Sequence, residues 1–427
     1  MSSYIGPLSI QRIEHSISTH RLRIILSVVA LLAVACLPAL AEDKPDLCEK
    51  HDWFQLREQV ARGDASLLCK GAVDANSERR AAAERELKAV IRQQPHSASS
   101  YDALGTLVYM YFRDGQYRRA LTQLNQMLEE KPNAEDTKAM HSMFSVFAQY
   151  PDLTVASSRP ATVRIETIEN NTFVPIAVNG VGAAYGVDTG ANISVICESE
   201  ARRLGLKVEE TATKMSDISG TEAAIRVTEA PDLWIGKTHL RHVAFTVFPD
   251  ANEPFVDLPQ GHKGVLGIPV LIALGAFRID KENHFEILPP PLPASAKTIP
   301  LAFDGIMPIT EMSLNGKTLS FTFDTGATHT VLGPPFAAAF PELMRTGIKK
   351  DHKLTGLNGS TTQESVELPS VRFLFGREVE LAPATVLLKT TTGASEWAAG
   401  NLGFDLISQT FPITIDFRAM QLRFEDR

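Results

Sequence analysis

Two stretches of strict alternation organise the chain. From Val181 to Val187, Val181, Ala183, Tyr185 and Val187 fall on one face; from Lys317 to Phe323, Leu319, Phe321 and Phe323 do the same. A two-residue period is that of a half-buried strand. Each run follows an Asn-Gly pair, Asn179-Gly180 or Asn315-Gly316, a strong signal for a tight hairpin turn. Each therefore reads as the second strand of a hairpin. Each then runs into the same four residues, Asp188-Thr189-Gly190-Ala191 and Asp324-Thr325-Gly326-Ala327. One Asp-x-Gly is ordinary turn chemistry, but two copies in matching contexts imply duplication.

The echo continues downstream. Val265-Leu266-Gly267 ends 79 residues after Asp188, and Asn401-Leu402-Gly403 ends 79 residues after Asp324. Phe277-Arg278-Ile279-Asp280 places its Asp 92 residues after Asp188, and Ile413-Thr414-Ile415-Asp416 places its Asp 92 after Asp324. Equal spacing over that distance marks an internal repeat of one supersecondary unit. The first copy is expected over residues 163–288 and the second over 298–427. A proline-rich spacer at 289–297 separates them and a linker at 151–162 precedes them. Both copies are punctuated by Gly, Pro and Asn in the manner of an all-β region. Short helices are expected at Glu198 to Leu204 and Phe336 to Phe340.

Upstream the period changes. Residues 42–150 are rich in Ala, Glu, Arg, Gln and Leu, with apolar positions at helical spacing. Leu107, Tyr111, Gly115, Tyr117, Ala120, Leu124, Met127 and Pro132 resemble a tetratricopeptide repeat, and Ala83, Leu87, Val90 and Pro95 repeat its second half. Val108 stands where that repeat usually has Gly, and the two prolines are 37 residues apart. The resemblance implies a helical domain able to hold a protein partner.

The first 41 residues read as an export signal: Arg12, Arg21 and Arg23, an apolar run of 14 residues from Ile24 to Leu37, and Ala39-Leu40-Ala41 before Glu42. The run is short for a bilayer span. The expected location is periplasmic or secreted, with no stable membrane span after cleavage. The alternatives are an uncleaved anchor or lipidation at Cys36. The chain has 427 residues and 44% hydrophobic content, ample for two or three domains with real cores. A formal charge of −8 argues against nucleic acid as a partner. Four cysteines are too few for a disulfide scaffold, although Cys48 and Cys69 form a candidate pair in an oxidising compartment. Cys197 reads as a buried, inert thiol. His239-Leu240-Arg241-His242 lacks a third metal ligand, and His329 reads as a loop residue. No metal and no cofactor are expected.

The paired motifs from about Val163 onward resemble the pepsin/retropepsin family of aspartic proteases. The Ala after each Asp-Thr-Gly is similar to retropepsins, and two lobes in one chain are similar to pepsins. The resemblance implies a bilobal all-β acid-protease fold behind the helical domain. Asp188 and Asp324 would share one proton and activate water to hydrolyse a polypeptide. Two carboxyls held together cannot both ionise, so one serves as base and the other as acid. Thr189 and Thr325 would interlock, while Gly190, Gly326, Gly267 and Gly403 would support the loops. Flaps are expected around Gly220 and Gly359. Because the side chains of Ala191 and Ala327 have no hydroxyl to hydrogen-bond a carboxylate, as the Ser or Thr of pepsins does, the expected pH optimum is weakly acidic to near neutral. The reading from another class is a non-catalytic peptide-binding or adaptor protein. A third is a latent enzyme whose helical domain blocks the cleft until it is removed.

Overall fold

Both Asn-Gly pairs adopt the left-handed backbone that their turns require. The computed structural model describes residues 51–168, 171–216, 222–252, 255–292, 297–355, 360–390 and 396–425. In it Asn179 and Gly180 have φ of 49° and 79°, and Asn315 and Gly316 have φ of 51° and 79°. These are the positive values of a two-residue hairpin turn whose twist matches its strands. They close two hairpins of the same design, Asn171–Val178 with Val181–Val187 and Met307–Leu314 with Lys317–Phe323.

In each lobe the second hairpin strand then pairs in parallel with a strand from far downstream. Val181–Val187 lies beside Gly264–Leu266, which pairs antiparallel with Ser194–Cys197. Lys317–Phe323 lies beside Gly400–Leu402, which pairs antiparallel with Val331–Leu332. The short loop after each hairpin is thus held between strands on both sides. A further antiparallel sheet joins the lobes: Ala161–Arg164, His284–Ile287 and Ala276–Ile279 from the first, then Ile413–Asp416, Gln421–Phe424 and Lys297–Asp304 from the second. The echoed segments meet there, with Arg278 opposite Thr414. One apolar core runs through both lobes, from Val174 and Phe245 to Phe373 and Phe424. The short helices lie at Glu198–Arg203, Pro334–Ala339 and Pro341–Met344.

The segment expected to be a linker contributes strands. Thr154–Ser157 pairs with Thr238–Phe248, and Ala161–Arg164 pairs with His284–Ile287. All four residues of Thr154–Ser157 are exposed, so the alternation that announces a half-buried strand is missing. Lys297, placed in the proline-rich spacer, opens the strand Lys297–Asp304.

Among the described residues six helices precede the strands: α1 (Trp53–Arg62), α2 (Leu67–Asn76), α3 (Arg80–Gln93), α4 (Ala98–Arg113), α5 (Tyr117–Glu130) and α6 (Glu135–Phe147). Asp52, Ser66 and Ser97 cap α1, α2 and α4 by accepting backbone N–H bonds. Ala83, Leu87 and Val90 of α3, Leu107 and Tyr111 of α4, and Ala120, Leu124 and Met127 of α5 are buried in one core. That core does not close on itself. Ile193, Ile225, Val227 and Ala244 of the first lobe and Ile306 of the second complete it. Trp53, Phe54 and Leu56 of α1 pack in a second cluster with Ala302 and Ile309 of the second lobe.

Polar groups fix the same junction. Asp304, 2% exposed, accepts from Trp53 Nε1 at 2.8 Å and Trp397 Nε1 at 3.1 Å, and its Oδ1 lies 2.7 Å from His51 Nδ1. This contact raises the His51 imidazole above its ordinary value. Arg113, 1% exposed, donates to the Gly305 carbonyl and to the Ala75 carbonyl, and its guanidinium lies 4.3 Å from the Phe303 ring centroid. Arg57 Nη2 donates to the Leu301 carbonyl at 2.8 Å.

Cys69 is disulfide-bonded, whereas Cys197 is free and buried. Cys48, Cys36 and the expected export signal lie outside the described residues, as do the flap positions Gly220 and Gly359. Among the described residues no helix is long and apolar enough to cross a membrane.

Candidate active site

The two Asp-Thr-Gly-Ala loops meet at the lobe boundary and hold each other through their threonines. Thr189 Oγ1 donates to the Phe323 carbonyl at 2.7 Å and accepts from Thr325 N at 3.0 Å. Thr325 Oγ1 donates to the Val187 carbonyl at 2.8 Å and accepts from Thr189 N at 3.0 Å. Four hydrogen bonds therefore cross between lobes at one point, all among buried groups. Only a hydroxyl, which donates and accepts, can make this lattice. Thr189→Val keeps the side-chain shape but strands the Phe323 carbonyl and the Thr325 N–H in the interior. The expected cost is about 1–3 kcal/mol per stranded group. Chemical denaturation should show a loss of this size in Thr189→Val, with Thr189→Ser close to the parent. A Thr189→Val midpoint equal to the parent's would mean that the lattice does not hold the lobes together.

Each loop is anchored to its own lobe in the same way. Asp188 N donates to the Leu266 carbonyl at 3.1 Å and Ile268 N to the Ala191 carbonyl at 2.9 Å. In the second lobe Asp324 N donates to the Leu402 carbonyl at 3.0 Å and Phe404 N to the Ala327 carbonyl at 2.7 Å. Gly267 N reaches Ser194 Oγ at 3.0 Å, and Gly403 N reaches Thr330 Oγ1 at 2.9 Å. At Gly267 an added Cβ would lie 2.7 Å from the Ala191 carbonyl oxygen; at Gly403 it would lie 2.9 Å from that of Ala327. No side chain fits where these segments brace the loops.

The loops then aim the carboxyls. Asp188 Oδ1 accepts from Gly190 N at 2.7 Å and Ala191 N at 3.1 Å. Asp324 Oδ1 accepts from Gly326 N and Ala327 N, both at 3.0 Å. Asp188 is 5% exposed and Asp324 is fully buried. A Cβ on Gly326 would lie 2.1 Å from Asp188 Cγ, and one on Gly190 would lie 2.6 Å from Asp324 Cγ. Each glycine thus makes room for the carboxyl of the opposite lobe. Each carboxyl therefore reaches the loop of the opposite lobe, and the Asp324 carboxyl acts directly on that of Asp188. Burial, and then the charge of Asp324, push the Asp188 carboxyl well above the usual carboxylate range. The nearness of Asp324 thus favours a proton on Asp188.

One contact breaks the symmetry, and the sequence reading did not single it out. Asn401 Nδ2 donates to Asp324 Oδ2 at 2.9 Å, while Thr322 Oγ1 contacts Asn401 Oδ1 at 2.6 Å. The equivalent positions in the first lobe are Gly186 and Val265, which face each other in the same parallel register. The signal was the departure of Asn401-Leu402-Gly403 from its echo Val265-Leu266-Gly267.

Other candidates lie elsewhere. His329 is largely exposed, with Nδ1 3.9 Å from Asp405 Oδ2. His239 pairs with Asp232 at 2.6 Å and His242 with Glu229 at 2.7 Å. Burial raises the Cys197 thiol, which contacts Ser199 and Asp250.

Residues 174–270 and 310–412 match the family model described as aspartyl protease. Among solved structures, a retropepsin-like aspartic protease from Rickettsia conorii is 21% identical over 32% of this chain and 92% of its own, with a TM-score of 0.24. The retroviral protease-like domain of Ddi1 from Leishmania major is 18% identical over 30% of this chain and 99% of its own, with a TM-score of 0.17. Conglutin gamma, a basic 7S globulin from lupine seeds, is 10% identical over 64% of this chain and 96% of its own, with a TM-score of 0.37. No curated protein matches.

Proposed function

The β region resembles the retropepsin-like aspartyl proteases, and on that premise we propose that this chain is an exported aspartic endopeptidase in which Asp188 and Asp324 activate water. The single observation that carries this reading is the buried pair of carboxyls, each delivered by its own lobe, packed against the glycine of the opposite loop and braced by two backbone N–H groups. In the working state one carboxyl is ionised and the other protonated. The ionised carboxyl takes a proton from a water molecule as it attacks the peptide carbonyl. The protonated carboxyl gives its proton to the carbonyl oxygen. The tetrahedral intermediate then collapses as a proton passes to the leaving nitrogen.

The substrate is a polypeptide lying extended across both lobes, held by main-chain hydrogen bonds with side chains in alternating pockets. Export rests on the signal-like first 41 residues. The roles of the hairpins that flank Gly220 and Gly359 as flaps, and of the helical region as a tetratricopeptide-like partner site, belong to the same reading.

The raised Asp188 carboxyl sets the expected pH dependence. It keeps its proton above the ordinary Asp range, so the singly ionised pair persists to higher pH than two ordinary carboxyls would allow. Purified protein incubated with an unstructured peptide mixture from pH 3 to 8 should cleave best in the weakly acidic to near-neutral range. A rate maximum near pH 2 would contradict this electrostatic account. No cleavage at any pH, with peptide binding retained, would favour a binding module.

A further inference from the structure

The departure of the two lobes from equivalence falls on the dyad itself. In the first lobe the strand beside the loop presents Val265 next to Gly186, and neither carries a side-chain hydrogen-bonding group. In the second, Asn401 stands next to Thr322, and its amide nitrogen lies 2.9 Å from Asp324 Oδ2. That oxygen is the one the loop leaves over, because the Gly326 and Ala327 N–H groups both address Oδ1. The hydroxyl of Thr322, a buried residue, lies 2.6 Å from the amide oxygen, which turns the amide nitrogen toward the carboxyl. Among the described residues Asp324 therefore receives three donors and Asp188 two.

Resting on the aspartic-protease reading, we propose that Asn401 is a positioning residue that fixes Asp324 as the ionised member of the pair and places the shared proton on Asp188. A donor favours the charged form of the group it faces. An amide cannot donate to an oxygen whose own proton points at it, so the contact selects one of the two proton placements. The upward displacement of Asp188, from burial and then from the charge of Asp324, has the same sense. Among the described residues, the titratable group shown to act on the dyad with Asp324 is Asp188, while His329, on the segment that follows the loop, pairs with Asp405. Asp405 is held by Thr330 through N–H and Oγ1 bonds of 2.6 to 3.0 Å. Burial, and then His329, lower His352. None of these supplies a donor at Asp324 Oδ2 to replace Asn401.

The test uses the full chain and the variant Asn401→Val, which installs the first lobe's own residue. Two readouts run in parallel: carboxyl titration by NMR on aspartate-labelled protein, and the pH dependence of kcat/KM on a cleaved peptide. Without its third donor the pair should lose its first proton less readily. The lower titration and the acidic limb should both move up by about one pH unit or more. The upper step, which belongs to the proton on Asp188, should stay in place. Thr322→Val, which frees the amide to rotate, should move the lower step in the same direction by less, and it stands in if Asn401→Val fails to fold. A purely structural role would change stability and leave both steps fixed. A lower step that does not move, or that moves down because the amide presents its oxygen, overturns the inference. If the wild type cleaves no peptide, the protease reading fails by itself, and the carboxyl titration still decides the role of Asn401.

Discussion

Asp188→Asn and Asp324→Asn will each reduce peptide hydrolysis by at least ~10³-fold, the scale expected when an acid–base group is lost from a concerted pair. Asparagine is nearly isosteric and its oxygen can still accept the two loop N–H bonds at Oδ1, so the loop should survive, although Asp324→Asn also sets an amide N–H₂ against Asn401 Nδ2 and loses that bond. What disappears is the shared proton. The two variants should diverge from the parent in stability as well, and the sign follows from the dyad. The Asp188 carboxyl is raised by burial and by the charge of Asp324. Between the ordinary Asp value, about 3.9, and that raised value, the folded chain holds a proton that the unfolded chain has released. Stability therefore falls as pH rises through this window. Asp188→Asn removes the burden. It should melt at a higher temperature than the parent at pH 7, and the difference should shrink as pH drops below about 4. Thermal melts of parent and variant at pH 3.5 and pH 7 read this directly. A dead variant that is equally destabilised at both pH values would instead indicate a broken loop. A variant that retains most of its activity would remove Asp188 from the chemistry.

Much of this site was legible because duplication makes weak signals strong. Asn179-Gly180 and Asn315-Gly316 announced two hairpins through the positive φ that the turn demands, and the chain needs no long-range information to form them. Gly267 and Gly403 were found by counting residues from each Asp, and a steric reason for both exists only in three dimensions, where backbone carbonyls fill the space of a Cβ. Asn401 escaped because a polar residue at one position of a strand is unremarkable until its register partner is known. Thr154–Ser157 escaped because an edge strand with every side chain exposed has no hydrophobic period to read.

The relation between helices and lobes was the least legible part. Ile193, Ile225, Val227 and Ile306 look like any strand or turn hydrophobe, and the sequence cannot say whether such a residue faces its own sheet or another element. Their burial against the helices changes how the whole chain should be viewed. Ile225 and Val227 sit on the strand Glu222–Ile235, which pairs with Glu209–Ser216. Ile193 lies five residues beyond Asp188. The helical region thus supports both the Asp188 loop and one candidate flap hairpin of the first lobe, and through Asp304 and Gly305 it is tied to the second lobe as well.

Removal of the helices before Thr154 should therefore unfold the remainder rather than release its activity. Truncation exposes Ile193, Ile225, Val227, Ile306 and Ile309 together, each at most 5% exposed in the intact chain. Burial of one such side chain contributes roughly 1.5–3 kcal/mol. Five of them approach the 5–15 kcal/mol that separates a typical native domain from its unfolded state. The truncation also leaves Asp304, whose partners include Trp53 and His51, with Trp397 alone. A fragment beginning at Thr154 should aggregate or lack a cooperative melt, and it should show no peptidase activity at any pH at which the intact protein works. A latent enzyme blocked by its helices predicts the reverse, with activity rising on truncation. Circular dichroism melts and peptide cleavage by the two proteins side by side separate these outcomes. The helices serve as the third wall of the catalytic unit if the fragment is dead and unfolded, and as a removable accessory if it folds and cleaves.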